Sequence, residues 1–186
     1  VGAAINRDVQ RFGEDATPNR LDGAATGWTV LGGLVVLEHL AIGGEWTEAG
    51  EIADVRTTTL LVGDGSVAIT SSFRHRTRVL AALGGFQHSI ARVQLAYLLG
   101  LSFTDVQRDF SSNASTLVLV TPSTAATGGS AVVNDRFASA IGGVQALVRL
   151  GSPLTIVTGV RVQRLRLDPD LSGWSFRTFA GAGWSF

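Results

Sequence analysis

The 186-residue chain contains no cysteine, which excludes disulfides, thiol catalysis and Cys-based zinc sites. It contains no lysine either: its 15 basic residues are all arginine, and 15 acidic residues balance them. A net charge of zero removes the electrostatic footprint of nucleic-acid binding. Charged residues make up 16% of the chain, where a soluble domain carries about 25%. A 45% hydrophobic content without net charge argues against disorder. Long apolar runs are also missing. Those at residues 34–37, 79–83 and 117–120 are four or five residues long, against the roughly 20 that an α-helix needs to cross a bilayer. A helical membrane protein is therefore excluded. The sequence opens on Val1 with no basic region leading into an apolar stretch, so a signal peptide is expected to have been removed or left out. The length fits one domain over residues 1–186 with a sizeable core.

What the chain does have is glycine, 23 residues of it, inside apolar segments as well as between them. An interior glycine costs a helix about 1 kcal/mol, so long helices are disfavoured. Period-2 alternation takes their place. In residues 91–103 the odd positions are all apolar and the even ones small, polar or aliphatic; residues 154–162 and 174–186 alternate in the same way. Further strands are expected at residues 1–10, 27–37, 40–47, 73–87 and 137–150, giving eight. An aliphatic residue followed by two glycines recurs at Leu31, Ile42, Leu83 and Ile141. Glycine inside a strand relieves crowding where a sheet bends or a large side chain lies across the backbone, as a small barrel requires.

The connections alternate as well. Short turns are expected at residues 37–39, 88–90 and 151–153, and long links at 11–26, 48–72, 104–136 and 167–173. Two of the long links are themselves strand-like and read as hairpins, one around Gly63, Asp64 and Gly65, the other around a Pro, Ser, Thr and Gly rich tip. Short turns at one end and long loops at the other is the arrangement of outer-membrane barrels, with the short side periplasmic.

On this pattern the sequence resembles the eight-stranded bacterial outer-membrane β-barrel superfamily, which includes OmpA, OmpX and OmpW. The resemblance covers the whole chain and is most specific at the end, where alternating hydrophobic residues finish in Trp184, Ser185 and Phe186. It implies an eight-stranded antiparallel up-and-down transmembrane barrel in the bacterial outer membrane, with periplasmic termini and no cofactor. It also implies that Phe186 is an insertion signal read by the barrel-assembly machinery. Trp28, Trp46, Phe103 and Trp174 would form the upper aromatic girdle, and Trp184 with Phe186 the lower; this parity requires three-residue turns. The same alternation turned inside out would give a soluble lipocalin-like barrel. Its exterior would then be Gly, Ala, Ser and Val with scattered Arg, a poorly soluble surface.

With the apolar faces outward, the opposite parity places Asp8, Glu45, Arg78, Arg92, Arg149, Arg161 and Arg177 in the lumen with Gln94, Gln145 and Gln163. Eight strands leave a lumen that side chains can fill, so these groups are expected to form an ion-paired plug, and their basic excess leaves room for water or an anion. Leu98, Ile141, Leu147, Val157 and Phe179 share the interior and interrupt any wet path. The alternative is a narrow pore or a channel for apolar solutes. Arg7, Arg11, Arg164 and Arg166 have outward parity near the loop-side rim, where a planar guanidinium fork suits lipopolysaccharide phosphates. Lipid A-modifying enzymes exist on such barrels and need a lipid-facing His and Ser two residues apart. His88 precedes Ser89 directly, which sends the two to opposite faces, and His75 with Thr77 lacks an evident carboxylate. The three histidines are too far apart in sequence to read as a metal site. The role expected is structural or interactive, through hairpins 48–72 and 104–136, whose few charges leave their edges open to another envelope or surface protein.

Overall fold

The computed structural model of the chain describes residues 1–12, 23–62, 65–117, 127–151, 153–168 and 171–184. Nine strands account for almost all of them: β1 (Gly2–Phe12), β2 (Gly23–Leu37), β3 (Leu40–Glu48), β4 (Ile52–Val62), β5 (Gly65–Ile90), β6 (Val93–Leu117), β7 (Thr127–Arg149), β8 (Leu154–Asp168) and β9 (Leu171–Trp184). Every pairing is antiparallel between neighbours. The β1–β9 and β3–β5 ladders close eight of the strands into a ring, leaving β4 paired to β5 alone.

The ninth strand follows from a bulge. β3 and β4 climb the same edge of β5, and the register slips by one residue between Glu48↔Arg78 and Ile52↔His75. A one-residue slip exchanges the faces of everything beyond it. Glu45, Thr47 and Ala49 are buried at odd positions, and Ile52 at an even one. By path the molecule is eight-stranded, as the alternation predicts.

Both termini and the short turns share one end. The Val1 amine donates to the Trp184 carbonyl at 2.9 Å and the Trp184 amide donates to the Val1 carbonyl at 2.6 Å. Glu38 and His39 turn β2 into β3, and β7 gives way to β8 between Arg149 and Leu154, where the Leu150 amide donates to the Leu154 carbonyl at 3.1 Å. The β5–β6 turn lies at Ala91 and Arg92, later than the expected 88–90 and one residue shorter, with Ile90 paired to Val93. Ala91 takes φ 54°. A positive φ at the first central residue alone is the type II′ hairpin geometry, which suits glycine better.

At the other end β5, β6 and β7 outrun the barrel. β5 and β6 are 26 and 25 residues long and pair without a break from Ser66↔Leu117 to Ile90↔Val93, where a spanning strand needs about 9–11. Their upper halves join β4 and the upper part of β7 in a four-stranded projecting sheet. β8 pairs with β7 only up to Ile141↔Gln163. Among the described residues, Thr127 to Ala140 therefore form a free sheet edge.

Candidate functional site

Small residues in the wall make the lumen possible. A Cβ at Gly159 would lie 2.6 Å from the Phe179 ring, and one at Gly143 would lie 3.0 Å from Cδ of Arg161. Phe179 and Arg161 thus each lie across a glycine of the neighbouring strand (Phe179↔Gly159, Arg161↔Gly143). Arg161 stacks on the Phe179 ring, its guanidinium carbon 4.9 Å from the centroid.

Glu45 is the hub of the polar interior. Arg161 Nε donates to its Oε2 at 2.9 Å, and Arg177 Nη1 donates to its Oε1 at 3.2 Å. Arg161 also donates to Gln145 Oε1 at 2.8 Å, and Arg177 to Thr47 Oγ1 at 3.2 Å. Arg177 lies 3.9 Å from Asp8, which accepts hydrogen bonds from Ser175 Oγ at 2.6 Å and Gln10 Nε2 at 3.1 Å. Asn6, Thr29 and Thr47 extend the chain of bonds on the other side. Asp8, Glu45, Arg161 and Arg177 are all buried, two charges of each sign, so the pairing closes within the protein.

Apolar groups cap this layer above and below. Phe12, Val106 and Leu165 cluster toward the projecting sheet, with Phe73 and Phe137 against them. Ala4, Val157 and Phe179 pack with Leu31 and Leu147 toward the turns, and Ala81, Leu83 and Ile141 with Leu98.

Three residues expected in the lumen are outside it. Arg78 is exposed and pairs with Glu48 at 3.4 Å. Its parity was tied to a three-residue turn, and the two-residue turn reverses it; residues 79–83, apolar on both faces, carry no parity of their own. Arg92 is in that turn and exposed. Arg149 is the last residue of β7, exposed at the rim, where its amide donates to the Arg92 carbonyl at 3.0 Å. With all three removed, the basic excess that left room for an anion disappears.

The corrected parity brings in a group the sequence reading left outside the network. His75 is buried where β5 passes above the apolar belt and pairs with Ile52 of β4. Gln10 donates through Nε2 to Asp8 and Thr77, so its Oε1 accepts from His75 Nε2 at 2.9 Å, leaving His75 Nδ1 buried without a partner. Burial pushes its pKa from 6.5 down to about 4, opposed by Asp8 and reinforced by Arg108. Arg108 pairs with Asp135 at the same mouth. His75 and Thr77 are thus both inside the barrel and cannot meet a lipid substrate from its wall. His88 stacks on Tyr97 at 5.8 Å near the turns, and His39 lies against Phe86.

The outer wall carries the apolar belt. Trp28, Trp46, Phe103, Trp174 and Trp184 are all exposed on it, as are Ile42, Leu80, Leu99, Leu101, Ile156 and Phe176. Arg7, Arg11, Arg164 and Arg166 are exposed on β1 and β8, the strands flanking β9. Arg11 and Arg164 flank Trp174 in one row (Arg11↔Trp174↔Arg164). Phe186 lies outside the described residues, as do the hairpin tips at residues 63–64 and 118–126 and the link at 13–22.

A ring of eight antiparallel strands, apolar outside and hydrogen-bonded inside, is the fold of the small outer-membrane barrels, and it is the fold of this chain. No protein-family model matches the sequence, and no curated protein matches it. Among solved structures, the fold is that of Ail, the attachment invasion locus protein of Yersinia pestis. The two share 14% identity at a TM-score of 0.50, over 97% of this chain and 95% of that one. Ail in complex with the heparin analogue sucrose octasulfate aligns at 15% identity and a TM-score of 0.48, over 97% and 95%. Neisserial surface protein A aligns at 10% identity and 0.43, over 100% and 96%. At such identities the likeness is one of fold.

Proposed function

We propose that the chain is an integral protein of a bacterial outer membrane, a single barrel domain over residues 1–186 with periplasmic termini. Its role is to present the projecting sheet to a surface partner, without enzymatic activity or cofactor. The observation that carries this reading is the β7 edge at Thr127 to Ala140, left without a backbone partner where its pairing with β8 stops, above a barrel whose outer wall is apolar. Its Val132 and Val133 are exposed, and an unguarded edge pairs readily with an added strand. Phe186 serves as the signal for the barrel-assembly machinery, and Arg7, Arg11, Arg164 and Arg166 contact lipopolysaccharide phosphates. None of these four makes an ion pair or side-chain hydrogen bond among the described residues. The plugged lumen favours this over a pore.

The test is a photoreactive residue at Val133 in cells expressing the protein. A cross-linked envelope or surface protein is expected, and Val132→Lys, which guards the edge with a charge, should abolish it while heat-modifiable migration stays intact. A cross-link untouched by Val132→Lys, or none with the native edge, would overturn the reading.

A further inference from the structure

The outer wall is not uniformly convex. Two adjacent rows of outward residues cross β7, β8, β9 and β1: Val144↔Val160↔Thr178↔Arg7, and Ala146↔Thr158↔Ala180↔Ile5. They line a recess of about 700 Å³. Its bulkier sides are Ile5, Val144 and Val160, and its small floor is Thr158, Thr178 and Ala180. The one charge in it is Arg7.

Arg7 is the unusual member of the rim quartet. It lies four residues along β1 below the row Arg11↔Trp174↔Arg164, about 13 Å along the strand, with Val9, Phe176 and Val162 in the row between. Arg7 pairs with Thr26, two residues loop-side of Trp28, so it stands at the level of the aromatic belt, where a lipid-facing guanidinium without a carboxylate calls for an anion. The protein supplies none among the described residues, whereas Arg78 and Arg74 on β5 and Arg136 on β7 each have a carboxylate.

From the recess and its unpaired guanidinium we infer that this wall holds one lipid A molecule specifically, with a phosphate drawn down to Arg7 and one acyl chain lying across Ala180 and Thr158. The inference rests on the reading of the rim arginines as phosphate contacts and adds to it a tail site. A phosphate alone would need only the rim; a chain alone would need no arginine. The hydroxyl of Thr26 beside Arg7 (Arg7↔Thr26) is offered to the same headgroup, while Thr178 belongs to the floor.

The test measures retention of diphosphoryl lipid A by the purified full chain in detergent, read by native mass spectrometry. The comparison ligand is the phosphorylated glucosamine disaccharide stripped of acyl chains. Ala180→Leu and, independently, Thr178→Leu fill the floor and leave every arginine in place. Each is expected to lower lipid A retention about tenfold without changing binding of the stripped disaccharide. Arg7→Gln should weaken both ligands. Retention unchanged in both filled variants, or phosphatidylglycerol retained as well as lipid A by the native chain, overturns the tail site. The rim reading is judged separately by Arg11→Gln, Arg164→Gln and Arg166→Gln combined: if these leave the stripped disaccharide bound as before, that reading fails. Each variant outwardly replaces a side chain on the wall, and heat-modifiable migration confirms that it is folded.

Discussion

Glu45 shows how much of the interior depends on one side chain. It accepts from both buried arginines, so replacing it leaves two guanidiniums facing each other across the lumen. Removing one partner from a buried ion pair costs about 3–5 kcal/mol. Glu45→Ala is expected to lower the unfolding free energy of the detergent-folded barrel in urea by that order, whereas Arg78→Ala, on the exposed wall, should change it by less than about 1 kcal/mol. Equal effects would place the network elsewhere. His75 gives the interior a pH dependence. Its pKa is depressed from 6.5 to about 4, so the stability gained by keeping it neutral is present above pH 6.5. It is lost as pH falls from 6.5 to about 4, by at most about 3 kcal/mol. His75→Gln should flatten this part of the stability curve relative to the native chain, measured by urea unfolding at each pH. At this scale legibility depended on parity. Asp8, Glu45, Arg161 and Arg177 lie in strands whose alternation is unambiguous. Arg78 and His75 adjoin residues 79–83, where both faces are apolar and only the turn length decides which side is in.

Among the elements, the turns and the bulge decide what the strands alone leave open. Ala91 holds φ 54° in a two-residue turn, a left-handed conformation that costs an L-residue roughly 1–2 kcal/mol. Ala91→Gly relieves the strain and adds some unfolded-state entropy, so it is expected to stabilise the barrel by about 0.5–1 kcal/mol. A loss in unfolding experiments would show that the turn is not strained. The step between β3 and β4 was not legible, because Thr47 to Ile52 carries no strong alternation and a bulge leaves no residue signature of its own. The hairpins were legible as strands but read as separate pieces. Nothing in the sequence marks that β5 passes from wall to projection without a break, since hydrogen-bond register is a property of the pair. Deleting residues 57–70 removes most of β4 and the upper end of β5 while sparing every β3–β5 pairing and the β5–β6 rungs from Ser71↔Ser112 to Ile90↔Val93. That variant should keep heat-modifiable migration; failure to fold would show that the sheet stabilises the barrel.

For the whole molecule, low charge and alternation together were enough to reach the fold, because an apolar wall and a balanced lumen leave few places for charge. The proposed role was less legible, since the edge that carries it exists only where β8 parts from β7. A lumen with Glu45 bridged to Arg161 and Arg177, and apolar clusters on either side, should not conduct. Planar bilayers containing the protein are expected to show no stable conductance steps; ohmic steps abolished by boiling would reinstate the pore. Glu45→Ala, which opens the bridge, is the variant in which a leak is most expected.

The unbroken pairing of β5 with β6, from Ser66↔Leu117 down to Ile90↔Val93, also has a mechanical meaning. The projecting sheet and the wall share one ladder, so a tug on its far end loads its rungs in shear, many at once, rather than unzipping them singly. A pull applied to this sheet would pass into the barrel wall before the ladder itself came apart.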